Sequence, residues 1–418
     1  MKRFAAYLLA LVCCLGLLAC SAPRGKTDEP TAPTGPVDTF PYPQIKQKLT
    51  WEAINAIPLK SADMTEEEMR QLCIDFFLFA KTALWMPDSE WKYTMSDAGT
   101  PDEMAKGRIY GGLPYYGNGS GNIYRLMDFI NEQTGVVDMT WGMENPKLFG
   151  NQCGNSAGWG WARVVNSAQY GYTFQMVQGN GFLRVGPYVY DDTLVRFKEG
   201  ICSTEDVIKA NGPETIFQSY AAMKKADGLV TYTSAGHVMM ACADPVVVYR
   251  DDGAIDPSQS YVHIHDQHAA WVEDTNEAGD TYLHKNYINK KFTFAQLLQD
   301  HYIPFTFAEF LGTDPVEDTV CNFSHTGETI TAMQINAGEV TANYSISDIY
   351  AIIRDAEGKE QYRVVRRAGI VGETALNFNR LVTASELESY TDGKHTVDIV
   401  CQLGTGERLT VYTGTLCK

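Results

Sequence analysis

The fold is decided by the segment Asn151-Gln-Cys-Gly-Asn-Ser-Ala-Gly-Trp159. We predict a helix over residues 154–165, and the small residues would let this helix approach a sheet closely. Cys153 then lies at the helix N-terminus, where unpaired backbone N–H groups and the helix dipole stabilise a thiolate. The segment therefore predicts a cysteine with nucleophilic character.

A histidine opens a predicted strand further along the chain, in Ala235-Gly-His-Val-Met-Met240. A base at this position projects its ring from the sheet toward a cysteine at the start of a helix. The next strand, Tyr261-Val-His-Ile-His-Asp-Gln-His268, offers polar groups that can orient the imidazole, and Asp266 is the first choice. We predict a catalytic set of Cys153, His237 and Asp266.

Hydrophobic patterns around these motifs predict an α+β region. Thr65 and Glu68 form a capping-box signature, and apolar residues then recur at helical spacing from Met69 to Leu84. Short apolar runs predict strands over 229–232, 237–243, 246–249 and 261–265, and a last helix over 294–302. We expect helices packed on an antiparallel sheet across 46–312.

Beyond residue 315 the pattern changes to short strand-like runs separated by turns. The runs cover residues 329–335, 349–354, 361–365, 395–403 and 408–412. This rhythm is typical of an all-β immunoglobulin-like sandwich. We expect such a sandwich domain over 316–418, with no catalytic residues in it.

The N-terminus reads as an export signal over residues 1–19. Lys2 and Arg3 precede an uncharged apolar run that is shorter than the roughly 20 residues of a membrane span. The closing Leu17-Leu-Ala-Cys20 resembles a lipobox, which implies lipidation at Cys20 rather than a plain signal or a short anchor. Residues 20–45, rich in Pro and Thr, are predicted to form a tether. We expect an extracytoplasmic protein that is lipid-anchored to the bacterial cell membrane.

The net charge limits the possible partners of the protein, and its cysteine content limits the possible zinc sites and disulfide bonds. The formal charge of −17 excludes nucleic acid as a favoured partner, because phosphates would be repelled. No Cys-x-x-Cys pair is present, so structural zinc is not predicted. Seven cysteines remain beyond Cys20, an odd number that leaves at least one thiol unpaired, and Cys401 and Cys417 flank a predicted hairpin across which they could pair.

The order of several motifs resembles that of NlpC-type cell-wall peptidases, a group of papain-like cysteine peptidases. The motifs are Gly112-Leu-Pro-Tyr115, the Cys153 helix start, Ala226-Asp-Gly228 and Gly236-His-Val238. The resemblance implies a papain-like fold and hydrolysis of an amide bond in peptidoglycan peptides without a cofactor. It also implies that Gln152 and Tyr115 help to build the oxyanion or substrate site. Gln152 stands where the family usually has Asp, and Gly154 where it has Ser.

Three other interpretations remain open. Cys153 could be a packing residue. Ser156 could occupy the nucleophile position, which would imply an inactive papain-like protein that binds cell-wall peptides or a protein partner. His263, His265 and His268 could ligate a metal ion, although His268 would lie beyond the strand.

Overall fold

The computed structural model describes residues 40–95, 100–166, 181–189, 203–233 and 236–418. The predicted signal, Cys20 and most of the predicted tether lie outside these residues. Within the described part, no helix is long and apolar enough to cross a membrane.

Helices are short in the described residues, with one exception near the start. Their bounds are α1 Trp51–Asn55, α2 Glu66–Thr82, α3 Ile123–Met127, α4 Thr140–Glu144, α5 Pro146–Phe149, α6 Cys153–Trp161, α7 Thr204–Asn211, α8 Pro213–Ala221, α9 Phe294–Gln299, α10 Ala332–Ala337 and α11 Ala384–Leu387. Helix α2 begins at the predicted capping box, in which Thr65 Oγ1 accepts from the backbone N–H of Glu68 and the Glu68 carboxylate accepts from that of Thr65.

Strands hold more of the described residues than helices do. Their bounds are β1 Leu84–Pro87, β2 Trp91–Met95, β3 Thr100–Met104, β4 Tyr110–Gly111, β5 Ile130–Asn131, β6 Val136–Val137, β7 Phe182–Arg184, β8 Gly228–Tyr232, β9 Gly236–Ala241, β10 Tyr261–Thr275, β11 Thr281–Thr293, β12 Ile303–Phe307, β13 Cys321–Phe323, β14 Thr329–Ile330, β15 Glu339–Ala342, β16 Ile346–Arg354, β17 Glu360–Arg367, β18 Ala375–Asn377, β19 Thr396–Leu403 and β20 Arg408–Leu416.

The N-terminal region, residues 40–312, is built on a sheet whose order is β5-β6-β1-β4-β11-β10-β9-β8-β12-β7. Strands β8, β9 and β10 pair antiparallel, as predicted. The sheet as a whole is mixed, because β1 pairs parallel with β6 and β4 with β11. Helices α2 and α6 pack on each other, and α6 also packs on β9 and β10. A Cβ at Gly160 would lie 3.0 Å from atoms of Phe77 and Met240, so this glycine permits the close approach.

Several predictions in this region are wrong. The strand predicted over 261–265 continues to Thr275, so His268 lies within it, and the helix predicted over 154–165 ends at Trp161. Residues 246–249 form only isolated bridges, from Val246 to Tyr261 and from Tyr249 to Ile255. Val246 and Tyr249 are exposed, so this apolar run does not belong to a buried face. The predicted helix 294–302 stops at Gln299, because the chain turns there to enter β12.

The C-terminal region, residues 316–418, is β-rich and has its own hydrophobic core. One sheet has the order β13-β15-β18 and the other β14-β20-β19-β16-β17, and residues of both sheets share that core. The predicted strand 329–335 is wrong beyond Ile330, because Thr331 and Gln334 form a capping box that starts α10. Cys417 donates to the carbonyl of Ile330, whereas Cys401 lies opposite Leu409, so the pairing of Cys401 with Cys417 is wrong as well.

Buried polar contacts join the two regions. Arg125 of α3 is 1% exposed, and its Nε lies 3.0 Å from Asp348 Oδ1 in β16, which is fully buried. The same guanidinium donates to the carbonyl oxygen of Ala368 at 2.7 Å. Near the end of α6, a Cβ at Gly404 would lie 2.9 Å from Ala162 Cβ. The C-terminal region therefore packs directly against the far end of the helix that begins at Cys153.

Candidate functional site: a cysteine, a histidine and an aspartate

The start of helix α6 is fixed by backbone pairing with a preceding segment. The N–H of Asn151 donates to Pro114 O at 2.9 Å, and the N–H of Tyr116 donates to Asn151 O at 2.8 Å. Asn151 Oδ1 also accepts from the N–H of Gln152 at 2.8 Å. Gln152 is extended and Cys153 is the first helical residue, which leaves the helix N-terminus at the thiol, as the sequence predicts.

His237 and Asp266 lie on neighbouring antiparallel strands. Asp266 of β10 is directly opposite Met239 of β9, and His237 is two residues before Met239. Residues two apart share a face of a strand, so the two side chains meet diagonally. His237 Nε2 lies 2.7 Å from Asp266 Oδ2.

The thiol of Cys153 completes the set through a hydrogen bond with His237. Because Nε2 of the ring is engaged by Asp266, Nδ1 is the nitrogen that faces the sulfur. The backbone N–H groups of Gly154 and Val238 are also hydrogen-bonded to the sulfur. The structure thus brings Cys153, His237 and Asp266 into one hydrogen-bonded line, and Cys153 rather than Ser156 contacts the histidine.

The electrostatics of this line favour an ion pair. Burial by itself raises the pKa of the Cys153 thiol, but the charge and hydrogen bond of His237 outweigh burial and lower that pKa below its ordinary value. Burial likewise lowers the pKa of His237, but Cys153 and Asp266 together raise it to about 10. Each partner stabilises the charged form of the other, so the pair favours a thiolate facing an imidazolium.

Asp266 is held so that it can orient the ring. It is 2% exposed, and its second oxygen, Oδ1, accepts from the N–H of Tyr287 at 2.9 Å. A carboxylate fixed at both oxygens selects one tautomer and one orientation of the imidazole. Tyr302 stands edge-on to the His237 ring, with the ring centroids 6.4 Å apart, and forms one wall of the site.

A buried lysine, which the sequence analysis did not single out, lies behind the thiol. Lys81 of α2 is 4% exposed, and its Nζ donates to Ser156 Oγ and, at 3.4 Å, to Gln267 Oε1. Burial lowers the pKa of Lys81 to about 7, although the charges of Asp266 and Cys153 oppose that shift. A signal for this residue exists in the sequence, because Lys81 lies four residues after buried Phe77, on the apolar face of the helix.

Tyr115 and Gln152 lie beside the helix start. Tyr115 is half-buried and forms an isolated parallel bridge with Asn151, next in the chain to Gln152. Gln152 is half-buried at the N-cap, and its side chain makes no capping hydrogen bond. Gln152 directly precedes Cys153 in the chain, and the bridge to Asn151 brings Tyr115 close to the same helix start. The part of both residues in an oxyanion or substrate site stays a prediction.

The histidines of β10 have other surroundings. His265 Nδ1 accepts from the N–H of Asn289 at 3.0 Å, and the His268 ring packs on that of Tyr287. Burial, together with the charge of Lys81, lowers the pKa of His265 to about 4. Among the described residues, no group of three or more His, Cys, Asp or Glu side chains is placed to hold a metal ion.

His237 is more exposed than Cys153. Cys153 is 2% exposed, while the His237 side chain is 24% exposed. The exposed part of the site is therefore the imidazole rather than the sulfur.

Comparisons with known proteins give no family for this chain. No protein-family model matches it, and no curated protein matches it. One solved structure that is similar in part is a fungal alcohol oxidase of the AA5 family in complex with copper, with 11% identity and a TM-score of 0.17. That match covers 46% of this chain and 48% of the oxidase, and a TM-score this low carries no argument about fold or function.

Proposed function

We propose that this chain is a thiol hydrolase that cleaves an amide bond. The observation that carries the proposal is the hydrogen-bonded line from Cys153 through His237 to Asp266, with the thiol at a helix N-terminus. A structural cysteine in a core needs neither a histidine partner nor a carboxylate behind that histidine. The combination matches what an activated thiol nucleophile requires.

The chemistry follows from the positions of these groups. The Cys153 thiolate attacks the amide carbonyl carbon, and backbone N–H groups at the start of α6 stabilise the oxyanion. His237 then gives its Nδ1 proton to the leaving amine, which departs as a thioester forms on Cys153. Water attacks the thioester while His237 takes up a proton, and the acid leaves with the free thiolate restored. Asp266 holds the ring through both steps.

The finer assignments rest on the sequence motifs. We infer a papain-like N-terminal region and an immunoglobulin-like C-terminal sandwich, because the order of helix-borne cysteine, histidine strand and aspartate strand follows the NlpC-type pattern. That pattern also makes peptidoglycan peptides the proposed substrate. Leu17-Leu-Ala-Cys20 supports lipidation at Cys20 and an extracytoplasmic, membrane-anchored location.

Cleavage of purified muropeptides and labelling by an iodoacetamide probe test the proposal. We expect Cys153→Ala to abolish cleavage and the labelling of the tryptic peptide that contains residue 153. Cys242→Ala is the matched control, because Cys242 is a half-buried thiol that contacts Asn289 and whose pKa burial raises to about 11. This control should retain both activities.

Two outcomes would contradict the assignment. If Ser156→Ala abolishes cleavage while Cys153→Ala retains it, the nucleophile is Ser156. If the wild-type protein binds muropeptides saturably but cleaves no amide in a panel of them, the chain is a binding protein with a papain-like site.

A further inference from the structure

Two cysteines of the C-terminal region face each other across its two sheets. Cys321 is the first residue of β13, where it pairs with Ala342 of β15. Cys401 lies in β19 of the other sheet, between Ile349 of β16 and Leu409 of β20. Strand β13 packs against β20, which is the neighbour of β19 in the second sheet.

The two thiols are neighbours in the hydrophobic core of this region. Cys401 belongs to that core and Cys321 packs against it, and each thiol interacts with the other as a hydrogen-bonding partner. Cys401 is fully buried, whereas Cys321 is half-buried at the edge of that core. The hydrogen bond from Cys401 also lowers the pKa of Cys321, while the same bond and burial raise the pKa of Cys401. The more reactive thiol is therefore the one that an oxidant can reach.

We propose that Cys321 and Cys401 form a disulfide bond that joins the two sheets. The oxidant is a small or protein disulfide, of the class of oxidised glutathione. The Cys321 thiolate attacks one sulfur of that disulfide and displaces a thiolate, and a mixed disulfide results. Cys401 then attacks the Cys321 sulfur, which releases the second thiol. Two protein thiols are oxidised and one external disulfide is reduced to two thiols.

Such a bond would constrain the unfolded chain strongly. The loop that it closes contains roughly 80 residues, and the stabilising effect of a disulfide grows with the length of the closed loop. The bond would also persist only in an oxidising compartment. Its presence in protein isolated without reductant therefore bears on the proposed location, independently of any catalytic activity.

Peptide mapping of the full chain tests the proposal. The folded protein is incubated with oxidised glutathione, blocked with N-ethylmaleimide and digested with trypsin without reduction. Trypsin separates Cys321, Cys401 and Cys417 into three peptides, so the connectivity can be read directly. We expect the peptides of Cys321 and Cys401 as one linked species, two hydrogen masses lighter than their sum.

Cysteine variants distinguish the bond between Cys321 and Cys401 from a bond to Cys417 and from any effect on muropeptide cleavage. Cys321→Ser should remove the linked species, and Cys417→Ser should retain it. Reduction should lower the Tm of the wild type but not that of Cys321→Ser. Because Cys321 is only half-buried, its serine variant should fold even if Cys401→Ser does not. The reduced Cys321→Ser protein should cleave muropeptides at the wild-type rate, so failure here and failure of the hydrolase proposal are distinguishable.

Full N-ethylmaleimide labelling of both cysteines after oxidation would overturn the proposal. A link from either of them to a third cysteine would do the same.

Discussion

A cysteine side chain lies at each end of helix α6, and the pKa values of the two thiols are shifted in opposite directions. Cys153 forms the N-terminus of the helix, and Cys73 of α2 donates from its sulfur to the carbonyl oxygen of Trp161 at the C-terminus. Both are buried, at 2% and 0% exposure. Burial raises the pKa of Cys73 well above its ordinary value, with Arg163 and Arg70 opposing it only weakly, whereas the pKa of Cys153 is lowered.

The difference shows that burial alone does not decide whether a thiol is reactive. At the N-terminus, N–H groups and His237 favour the thiolate, while a carbonyl oxygen at the C-terminus favours the protonated thiol. The protein therefore contains its own reference cysteine, at the other end of the same helix.

Removing His237 should abolish most of the pKa difference between Cys153 and Cys73. We expect His237→Ala to lower kcat/KM for muropeptide cleavage by about 1,000-fold, because the thiol loses both its base and its charged partner. The pKa of Cys153 should rise toward that of a buried thiol, so alkylation by iodoacetamide at pH 7 should slow as well. His263→Ala, on the strand beside it, serves as the control. Unchanged alkylation in His237→Ala would show that the histidine does not activate the thiol.

Changing the orienting residue should have a smaller effect. We expect Asp266→Asn to lower kcat/KM by about 100-fold, since the amide can still accept from Tyr287 but no longer supports the imidazolium. In the wild type the imidazolium persists below its pKa of about 10 and is lost as the pH rises through that value. Because Asp266 helps to raise this pKa, the alkaline limb of the pH profile should move to lower pH in the variant. An alkaline limb that stays near pH 10 in the variant would show that Asp266 does not raise the pKa of His237.

Replacing the buried lysine tests the charge balance of the site. With thiolate, imidazolium and carboxylate together, the buried line carries one net negative charge, which Lys81 can compensate. We expect Lys81→Met to raise the pKa of Cys153 by about one unit, which slows alkylation near neutral pH about tenfold. Ser156→Ala removes the hydrogen bond but keeps the charge, and should leave that pKa in place. If both variants raise the pKa of Cys153 equally, the hydrogen bond between Lys81 and Ser156, rather than the charge of Lys81, lowers that pKa.

The reference cysteine should have the smallest effect on activity. We expect Cys73→Ala to leave kcat/KM within about twofold of the wild type, because the sulfur lies at the opposite end of α6. The free energy of unfolding should fall by about 1 kcal/mol for the small cavity left in the core. Urea unfolding and muropeptide assays measure the two quantities. A large loss of activity without a loss of stability would mean that the two ends of α6 are coupled.

Local patterns predicted the parts of the site that depend on one element at a time. The helix start at Cys153 follows from the small residues after it, and the position of His237 follows from the strand that it opens. The register that places Asp266 beside His237 appears only in the structure. Lys81 was missed because a lysine at the end of a helix normally lies in solvent, although its spacing from Phe77 indicated the buried face. The prediction of a strand over 329–335 was wrong because Thr331 and Gln334 form a capping box that starts a helix there. The apolar residues of this segment were interpreted as a strand before the capping pattern was considered.

Contacts between distant parts of the chain were beyond single-sequence patterns. Arg125 and Asp348 form a buried ion pair although they are far apart in the sequence, and nothing near either residue indicates the other. The contact between Cys321 and Cys401 is of the same kind. Such pairs depend on how two complete units pack together, which no local spacing encodes.

The buried pair of Arg125 and Asp348 has a consequence for how this architecture can vary. A buried Arg125 left in that interface without Asp348 would cost several kcal/mol, so neither region can exchange its partner freely. The C-terminal region is therefore not an independent domain that can be exchanged for another. A gene fusion that grafts it onto another protein would have to supply a new partner for Asp348, and its deletion from this chain would have to replace Arg125.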